Sequence, residues 1–419
     1  MLQAICKFKR YLKNGVLNDV AFKMIANIVL TITRNIMVLP IMAKIFTNSE
    51  YGEIVTIVGV ITTIAAGFGN ALLSTRLVRE MDYKNAFLQG DFNLICIIVS
   101  GISILFTVLI ALLFPNLSVS NLLFVAAILF AETFTGYHSG WFILRQAYKK
   151  LLIYTVIGSA GFVIGLLFSY FTKLWTLTYF TSDIICLTFL VIHSPLITEK
   201  LVLTSEKTTT IKKYIVLIIT TIISNALAYL DRLLLYPILG GEAVAVYTTA
   251  SMFGKIFSMI SLPVSSIMLG YYATERIKLD LKKYWLINFL SLAFLIFFII
   301  ITQVAGIWFT GLLYPSIIAK AAPYVLIANL SSAIGASAQI TKSAALIYAK
   351  TYWVLIIQAV YATVYIGVGY YAVKIDGLRG FTYSVLIANI LQLVLLFIVC
   401  HIAVKNLNQS NLNSIRSVK

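Results

Sequence analysis

Charged residues are scarce in this chain of 419 residues: Asp, Glu, Lys and Arg make up only 11% of it, whereas hydrophobic residues make up 60%. This composition, with a mean hydropathy of +0.95, excludes a soluble globular protein. About twelve apolar runs of roughly 20 residues fit between short connections, and each is long enough to cross about 30 Å of hydrocarbon. The predicted fold class is an all-α polytopic membrane protein with about twelve transmembrane helices.

Cysteine is equally scarce, and the sequence lacks the usual signatures of catalysis. The four cysteines are too scattered for a metal-binding spacing or a disulfide framework, and we interpret them as core residues: Cys6, Cys96, Cys186 and Cys400. There is no Gly-rich phosphate loop, metal-ligand cluster or nucleophile elbow. We therefore expect no catalytic residue, no metal and no cofactor, and we predict that the chain is not an enzyme. The basic start lacks a cleavage motif, so we expect no removed signal peptide.

Acidic residues are outnumbered by basic ones, 15 against 32, which gives a formal net charge of +17. In a soluble protein this excess would suggest nucleic acid, but here the charges separate by side of the membrane. With both termini in the cytoplasm, the predicted outer connections hold only Lys44, Lys173, Lys320, Lys374 and Arg379. The basic excess thus follows the positive-inside rule, and we expect no nucleic-acid partner.

Four bases lie at membrane depth, where a charged group costs about 2.5 to 3.5 kcal/mol on insertion scales and normally faces protein or a water-filled cavity. Two of them belong to a repeated pattern of Asn followed seven residues later by Arg, which places both on one helix face. The predicted substrate-binding residues of a cationic cavity are Asn27, Arg34, Asn225, Arg232, Lys255 and Lys342. The alternative for the bases is a long side chain that reaches the headgroups.

Three acids also lie at depth: Glu132, Asp183 and Asp231. A carboxylate in the membrane core either takes up a proton or finds a cation. We therefore consider all three as candidates for ion coupling, with a structural ion pair as the alternative for each. Glu132 is additionally a candidate partner for an arginine of the cavity.

The polar segment 198–213 divides the chain into two predicted six-helix bundles, 1–197 and 214–419, the second ending in a short polar tail. The predicted outer turns at 45–54 and 238–247 align with each other, as do the two Asn/Arg patterns. An even number of spans in each half makes the repeat parallel, with a pseudo-two-fold axis along the membrane normal. The sequence therefore predicts a binding site between the halves.

The segment 231–250, which reads DRLLLYPILGGEAVAVYTTA and is followed by Pro263, resembles the start of the second half of polysaccharide flippases. The start of the first half is similar to the same family through Tyr51-Gly52 and the stretch 67–70 before Arg76. These proteins are the O-antigen and capsule repeat-unit transporters (Wzx-like) of the multidrug/oligosaccharidyl-lipid/polysaccharide exporter superfamily. The family's usual Gly-x-Tyr after the outer turn is replaced here by Ala245-Val-Tyr247.

The resemblance implies a MATE-like arrangement of two bundles in the bacterial cytoplasmic (inner) membrane. It implies the movement of an undecaprenyl-pyrophosphate-linked oligosaccharide from the cytoplasmic to the outer leaflet, with membrane lipid as a partner. It also makes H⁺ or Na⁺ a candidate coupling ion, and the polymerase and chain-length proteins of the same pathway candidate partners. Independently, Arg presents paired N–H groups that suit phosphate oxygens.

Two other functions stay open at this stage. A drug/ion antiporter of the same superfamily would favour a carboxylate-rich cavity, whereas bases at depth outnumber acids here. A membrane-embedded polysaccharide polymerase or glycosyltransferase would typically carry a long outer loop. The longest predicted outer connection, near 310–322, is short.

Overall fold

The structure is a computed structural model of the chain, and it describes residues 16–256, 258, 261, 265, 268, 272, 280–349 and 351–416. Regular secondary structure in these residues is entirely helical. Cys6 and Pro263 lie outside the described residues, as do most residues between 257 and 279.

The helices of the first half follow the predicted spans closely. The first span consists of α1 and α2, joined by a π-helical turn at Thr33–Val38, and a 3₁₀ turn at Pro195–Thr198 follows the sixth span. The α-helices are α1 (Val16–Ile32), α2 (Leu39–Ile45), α3 (Asn48–Asn85), α4 (Phe92–Leu113), α5 (Val119–His138), α6 (Gly140–Leu144), α7 (Tyr148–Thr172) and α8 (Thr176–His193).

The second half begins with α9, which starts within the polar segment 198–213. A second π-helical turn, Thr302–Gly306, connects the helix that ends at Ile301 to the helix that begins at Ile307. The α-helices are α9 (Lys207–Ala228), α10 (Leu230–Ala250), α11 (Leu281–Ile301), α12 (Ile307–Leu313), α13 (Ile318–Tyr348) and α14 (Thr351–Arg416). Helix α10 is kinked at Gly240, and α14 is broken at Asp376 and Gly377 into two arms.

Eleven helical stretches of the described residues are long and apolar enough to cross a membrane. One of them, Tyr352–Asn406, has 55 residues and contains the break at Asp376 and Gly377, so that each of its arms is long enough to span. In α9 only 6% of the most apolar window is buried inside the protein. A soluble protein does not expose such a surface, whereas lipid covers it. The predicted all-α polytopic membrane fold is confirmed.

The chain divides into two compact units. The first contains residues 1–47 and 54–233, and the second contains residues 48–53 and 234–419. The predicted linker 198–213 lies inside the first unit, and the division into bundles at that segment stays a prediction.

The linker is held to one end of the first unit by a network of hydrogen bonds. The buried carboxylate of Asp91 accepts hydrogen bonds from the Tyr83 hydroxyl at 2.6 Å and from the Thr204 backbone N–H at 2.7 Å. The Asn93 side-chain amide donates to the Leu196 carbonyl at 2.5 Å, and Arg76 donates to both carboxylate oxygens of Glu199 at 2.8 and 2.6 Å. The linker is therefore docked along its length, although its composition is that of a flexible connection.

Small residues set the spacing of α7 and α8. A Cβ atom added to Gly161 would lie 2.7 Å from the Ser182 Cα, and one added to Gly165 would lie 2.6 Å from the Thr178 Cα. Because backbone rather than a side-chain tip occupies that space, only glycine allows this close approach. Helices α7 and α8 then hold two of the side chains that surround Arg34.

Candidate functional site

The local structure around Arg34 departs from an α-helix. Pro40 has no N–H to donate to the carbonyl four residues earlier, and the chain widens there into the π-helical turn Thr33–Val38. The Leu39 N–H instead donates to the Arg34 carbonyl, five residues back. Single π-helical turns within α-helices are frequently found at functional sites.

The Arg34 side chain forms an ion pair with Glu132 of α5. Arg34 Nη2 lies 3.2 Å from Glu132 Oε1, and the two side chains are 31% and 14% exposed, respectively. The guanidinium also lies over the ring of Phe162 of α7, 5.1 Å from its centroid. Arg34 Nε has no hydrogen-bond partner among the described residues. The pair is thus partly accessible, and its cation keeps one N–H donor unused.

Asp183 of α8 completes this cluster. Its side chain is buried, and it interacts electrostatically with both Arg34 and Glu132. Its Oδ2 has no hydrogen-bond partner among the described residues. Glu132 is thus the ion-pair partner of Arg34, and Asp183 is a second carboxylate within electrostatic range of both. Such a cluster can release an acid to take up a proton or a small cation, or release the guanidinium to an anion.

The second predicted arginine has a different environment. Arg232 is only 7% exposed, its Nη1 donates to the Val55 carbonyl at 3.1 Å, and its guanidinium lies over the ring of Tyr229, 5.2 Å from the centroid. Tyr229 in turn packs against Gly59, where an added Cβ would lie 3.3 Å from the ring. The structure thus places Arg232 in the packed interior of the first unit, unlike the half-exposed Arg34.

The two predicted asparagines do not contact their arginines in any described hydrogen bond. Asn27 is exposed on α1, whereas Asn225 is half-buried and its Nδ2 has no hydrogen-bond partner among the described residues. Asp231, next to Arg232, is buried. Sequence spacing alone placed each Asn and Arg on one helix face, but neither copy is a continuous α-helix. The first copy changes to a π-helical turn at Thr33, and in the second copy α9 ends and α10 begins near Tyr229.

The two predicted lysines lie in the second unit. Lys255 is half-buried, and its Nζ lies 5.9 Å from the centroid of the Tyr247 ring. Lys342 of α13 is also half-buried, and its Nζ donates to Gln358 Oε1 at 3.2 Å. The Gln392 amide donates to the same oxygen at 3.3 Å. Neither glutamine was predicted, because both are uncharged and lie in strongly apolar spans.

Among the described residues, no group of three or more His, Cys, Asp or Glu side chains is arranged to hold a metal ion. The described cysteines Cys96, Cys186 and Cys400 are buried free thiols.

Known proteins with a similar fold are transporters. The chain superposes on a MATE protein in its bent conformation with a TM-score of 0.61 at 15% identity, covering 95% of this chain and 96% of that one. For the MATE transporter VcmN of Vibrio cholerae in the bent form, the TM-score is 0.61 at 14% identity, covering 96% and 98%. For the lipid II flippase MurJ in an inward closed conformation, it is 0.59 at 15% identity, covering 92% and 86%.

No protein-family model matches the sequence, and no curated protein does. The structural similarity extends over nearly the whole chain despite the low identity, so it is a similarity of fold. The chain therefore has the fold shared by MATE transporters and the MurJ flippase.

Proposed function

We propose that this protein is a flippase that moves undecaprenyl-pyrophosphate-linked oligosaccharide from the cytoplasmic to the outer leaflet of the bacterial inner membrane by alternating access. The similarity in fold to a lipid II flippase supports movement of a lipid-linked cargo. The sequence resemblance of 231–250 and of the first outer turn to polysaccharide flippases supports an oligosaccharide as the head group.

The observation that carries this proposal is the state of Arg34. Its side chain lies at membrane depth and is 31% exposed, and its buried Nε has no hydrogen-bond partner among the described residues. A phosphate oxygen can accept two parallel N–H bonds from such a group. In the absence of cargo, Glu132 occupies one side of the guanidinium and so keeps the charge compensated.

The two carboxylates near Arg34 provide a basis for ion coupling. When an anionic cargo takes over Arg34, Glu132 and Asp183 lose their common cation, and uptake of H⁺ or Na⁺ by one of them becomes favourable. One charge entering down a potential of 100 mV releases about 2.3 kcal/mol. Cargo binding and ion entry are thereby linked through one residue.

A second candidate function is a drug/ion antiporter, and one observation favours it. The Arg34 cluster holds two carboxylates for one guanidinium, which suits a cationic cargo when both acids are ionised. Several of the proteins with a similar fold are MATE transporters, one of which is described as a multidrug resistance transporter of the MOP superfamily. The two functions differ in the sign of the charge carried.

The test is the movement of a labelled lipid-linked oligosaccharide between leaflets in proteoliposomes. We expect transfer by the wild type and a loss of most of it in Arg34→Ala. Lys44→Ala, which removes an exposed charge from the outer end of the same span, serves as the matched control and should retain transfer. Arg232→Ala tests whether the second copy of the repeat also contributes.

Each outcome distinguishes the candidates. Efflux of a cationic dye driven by a proton gradient, without movement of the lipid, would establish the antiporter instead. Elongation of the sugar chain would show an enzyme. Equal transfer by wild type and Arg34→Ala would exclude Arg34 as the site of cargo binding.

A further inference from the structure

Three polar side chains from three apolar helical segments meet inside the second unit. Lys342 lies on α13, Gln358 on the first arm of α14, and Gln392 on the second arm. Both Lys342 Nζ and Gln392 Nε2 donate to the single oxygen Gln358 Oε1, at 3.2 and 3.3 Å. We call these three residues the Lys/Gln cluster.

The cluster lies at membrane depth. Lys342 precedes the end of α13 at Tyr348 by six residues, or about 9 Å at the helical rise, and Gln358 follows the start of α14 at Thr351 by seven residues, or about 10 Å. The ammonium group donates to a residue at about its own depth. It does not extend towards the helix ends and the headgroups, as a snorkelling lysine does.

The ammonium of Lys342 has no carboxylate partner. Among the described residues no Asp or Glu side chain pairs with it, whereas the Arg34 guanidinium of the first unit pairs with Glu132 and has Asp183 within electrostatic range. An amide oxygen compensates only part of a full charge. A half-buried ammonium without a counter-charge is costly, and an incoming anion lowers this cost.

The cluster is also rich in unused donors. Lys carries three N–H groups and each Gln carries two. The two hydrogen bonds to Gln358 Oε1 use one N–H of Lys342 and one of Gln392. One positive charge surrounded by several neutral donors matches an oxyanion with neighbouring hydroxyl or ester oxygens.

We propose that the Lys/Gln cluster is a binding site for an oxyanion, either the carboxylate of an acidic sugar or a phosphate. Lys342 supplies the charge, and the amides of Gln358 and Gln392 supply directional hydrogen bonds. Anion binding itself does not depend on the transport function. The identification of the anion as part of the flippase's cargo rests on the proposed function.

The experiment measures binding of soluble anions to the purified full-length protein by isothermal titration calorimetry at constant ionic strength. The probes are glucuronate, inorganic phosphate and, as a neutral control, glucose. The decisive variant is Gln358→Glu, which keeps the size of the side chain and puts a carboxylate where Lys342 now contacts an amide oxygen. This carboxylate would pair with Lys342 and compete with an incoming anion. A second variant, Lys342→Gln, removes the charge. Lys320→Gln removes an exposed lysine from the outer end of the same helix and is the matched control.

We expect wild type and Lys320→Gln to bind glucuronate or phosphate equally and glucose not at all. Both Gln358→Glu and Lys342→Gln should bind the anion at least about tenfold more weakly, which is the loss of one charge-assisted hydrogen bond. Because Gln358→Glu creates an ion pair, it should not lower thermal stability, so that lost binding cannot be attributed to unfolding. Preference for glucuronate or for phosphate identifies the source of the anion.

Two results would overturn the proposal: no anion binding by the wild type, or equal binding by wild type and Gln358→Glu. The proposed flippase function can be refuted independently of the anion site. If the cluster binds anions but the protein moves no lipid-linked oligosaccharide, the site stands and the proposed function falls. If lipid moves at the wild-type rate in Gln358→Glu, the cluster has no part in cargo recognition.

Discussion

The pairing of Arg34 with Glu132 gives the most quantitative prediction for the first unit. Arg34→Gln leaves the Glu132 carboxylate, 14% exposed, and the buried Asp183 within electrostatic range of each other and without their cation. A lost hydrogen bond between charged groups costs about 1.5 to 3 kcal/mol, and repulsion between the two carboxylates adds to this. Glu132→Gln should cost less, about 1 kcal/mol, because Arg34 is 31% exposed, lies over Phe162 and keeps Asp183 nearby.

The double variant separates coupling from two independent effects. In the double variant Gln replaces both side chains, so that neither the Glu132 carboxylate nor the Arg34 guanidinium remains as a charge without the other. We therefore expect the double variant to be more stable than Arg34→Gln alone, with a coupling energy of about 1 to 2 kcal/mol. Lowering the pH should restore part of the stability of Arg34→Gln, because protonation of one carboxylate removes the repulsion that the missing cation had screened.

The chain offers its own reporter for this measurement. Cys96, Cys186 and Cys400 are buried free thiols, so a thiol-reactive dye added to the purified protein becomes fluorescent as the helices separate on heating. The midpoints of wild type, the two single variants and the double variant are compared at neutral and mildly acidic pH. Additive losses in the double variant, or an Arg34→Gln deficit that grows as the pH falls, would refute the assignment of Arg34 as the counter-charge of Glu132.

Two further predictions concern packing and the docked linker. Gly161→Leu should lower the free energy of unfolding by about 2 kcal/mol and with it the unfolding midpoint, since its Cβ would meet the Ser182 backbone. Gly101→Leu, with no atom within 4 Å of an added Cβ, should leave the midpoint unchanged; equal midpoints of the two variants would show that α7 and α8 can separate freely. Asp91→Asn should weaken the hydrogen bonds to Tyr83 and Thr204 and speed tryptic cleavage in 198–213. Asp82→Asn, at an exposed side chain, should not change the cleavage rate. Unchanged cleavage in both variants would mean that Asp91 does not hold the linker.

Hydropathy predicted the positions of the spans because the cost of burying polar backbone in lipid dominates there. It does not indicate the full length of α3, which has 38 residues and continues to Asn85, beyond the apolar run. The extension is charged and lies outside the apolar run. It is stabilised by ion pairs between Arg76, Glu80 and Lys84, four residues apart, that hydropathy does not register.

The docking of the linker could not be predicted from composition. Segment 198–213 has the charges and threonines of a flexible connection, and the residues that hold it in place, Asp91 and Asn93, appear in the sequence as the start of an apolar span. Their partners lie more than a hundred residues away, at Leu196 and Thr204. Without a pattern that links such distant positions, a docked and a free linker have the same sequence signature.

The sequence identified Arg34 and Glu132 as charged residues at membrane depth and made Glu132 a candidate partner for an arginine of the cavity. It did not specify Arg34 as that arginine, because 98 residues separate the two. It weighted the two Asn/Arg patterns equally, whereas in the structure Arg232 is buried and donates to a main-chain carbonyl of α3, and Arg34 is half-exposed. Local winding caused this difference. The repeated Asn/Arg pattern specifies only the spacing of the two residues along the chain. In the first copy, Arg34 lies in the π-helical turn before Pro40.

The count of bases against acids at membrane depth suggested a cationic cavity, but the partners of each base in the structure lead to a different expectation. In the first unit each arginine at depth has an acid beside it in space or in sequence, Glu132 and Asp183 for Arg34 and Asp231 for Arg232. In the second unit Lys342 has only amide partners among the described residues. If the cargo is anionic, we therefore expect Lys342→Gln to weaken its binding without changing the dependence of transport on the ion gradient. We expect Glu132→Gln to change that dependence instead, and the same effect of both variants on both quantities would contradict this division.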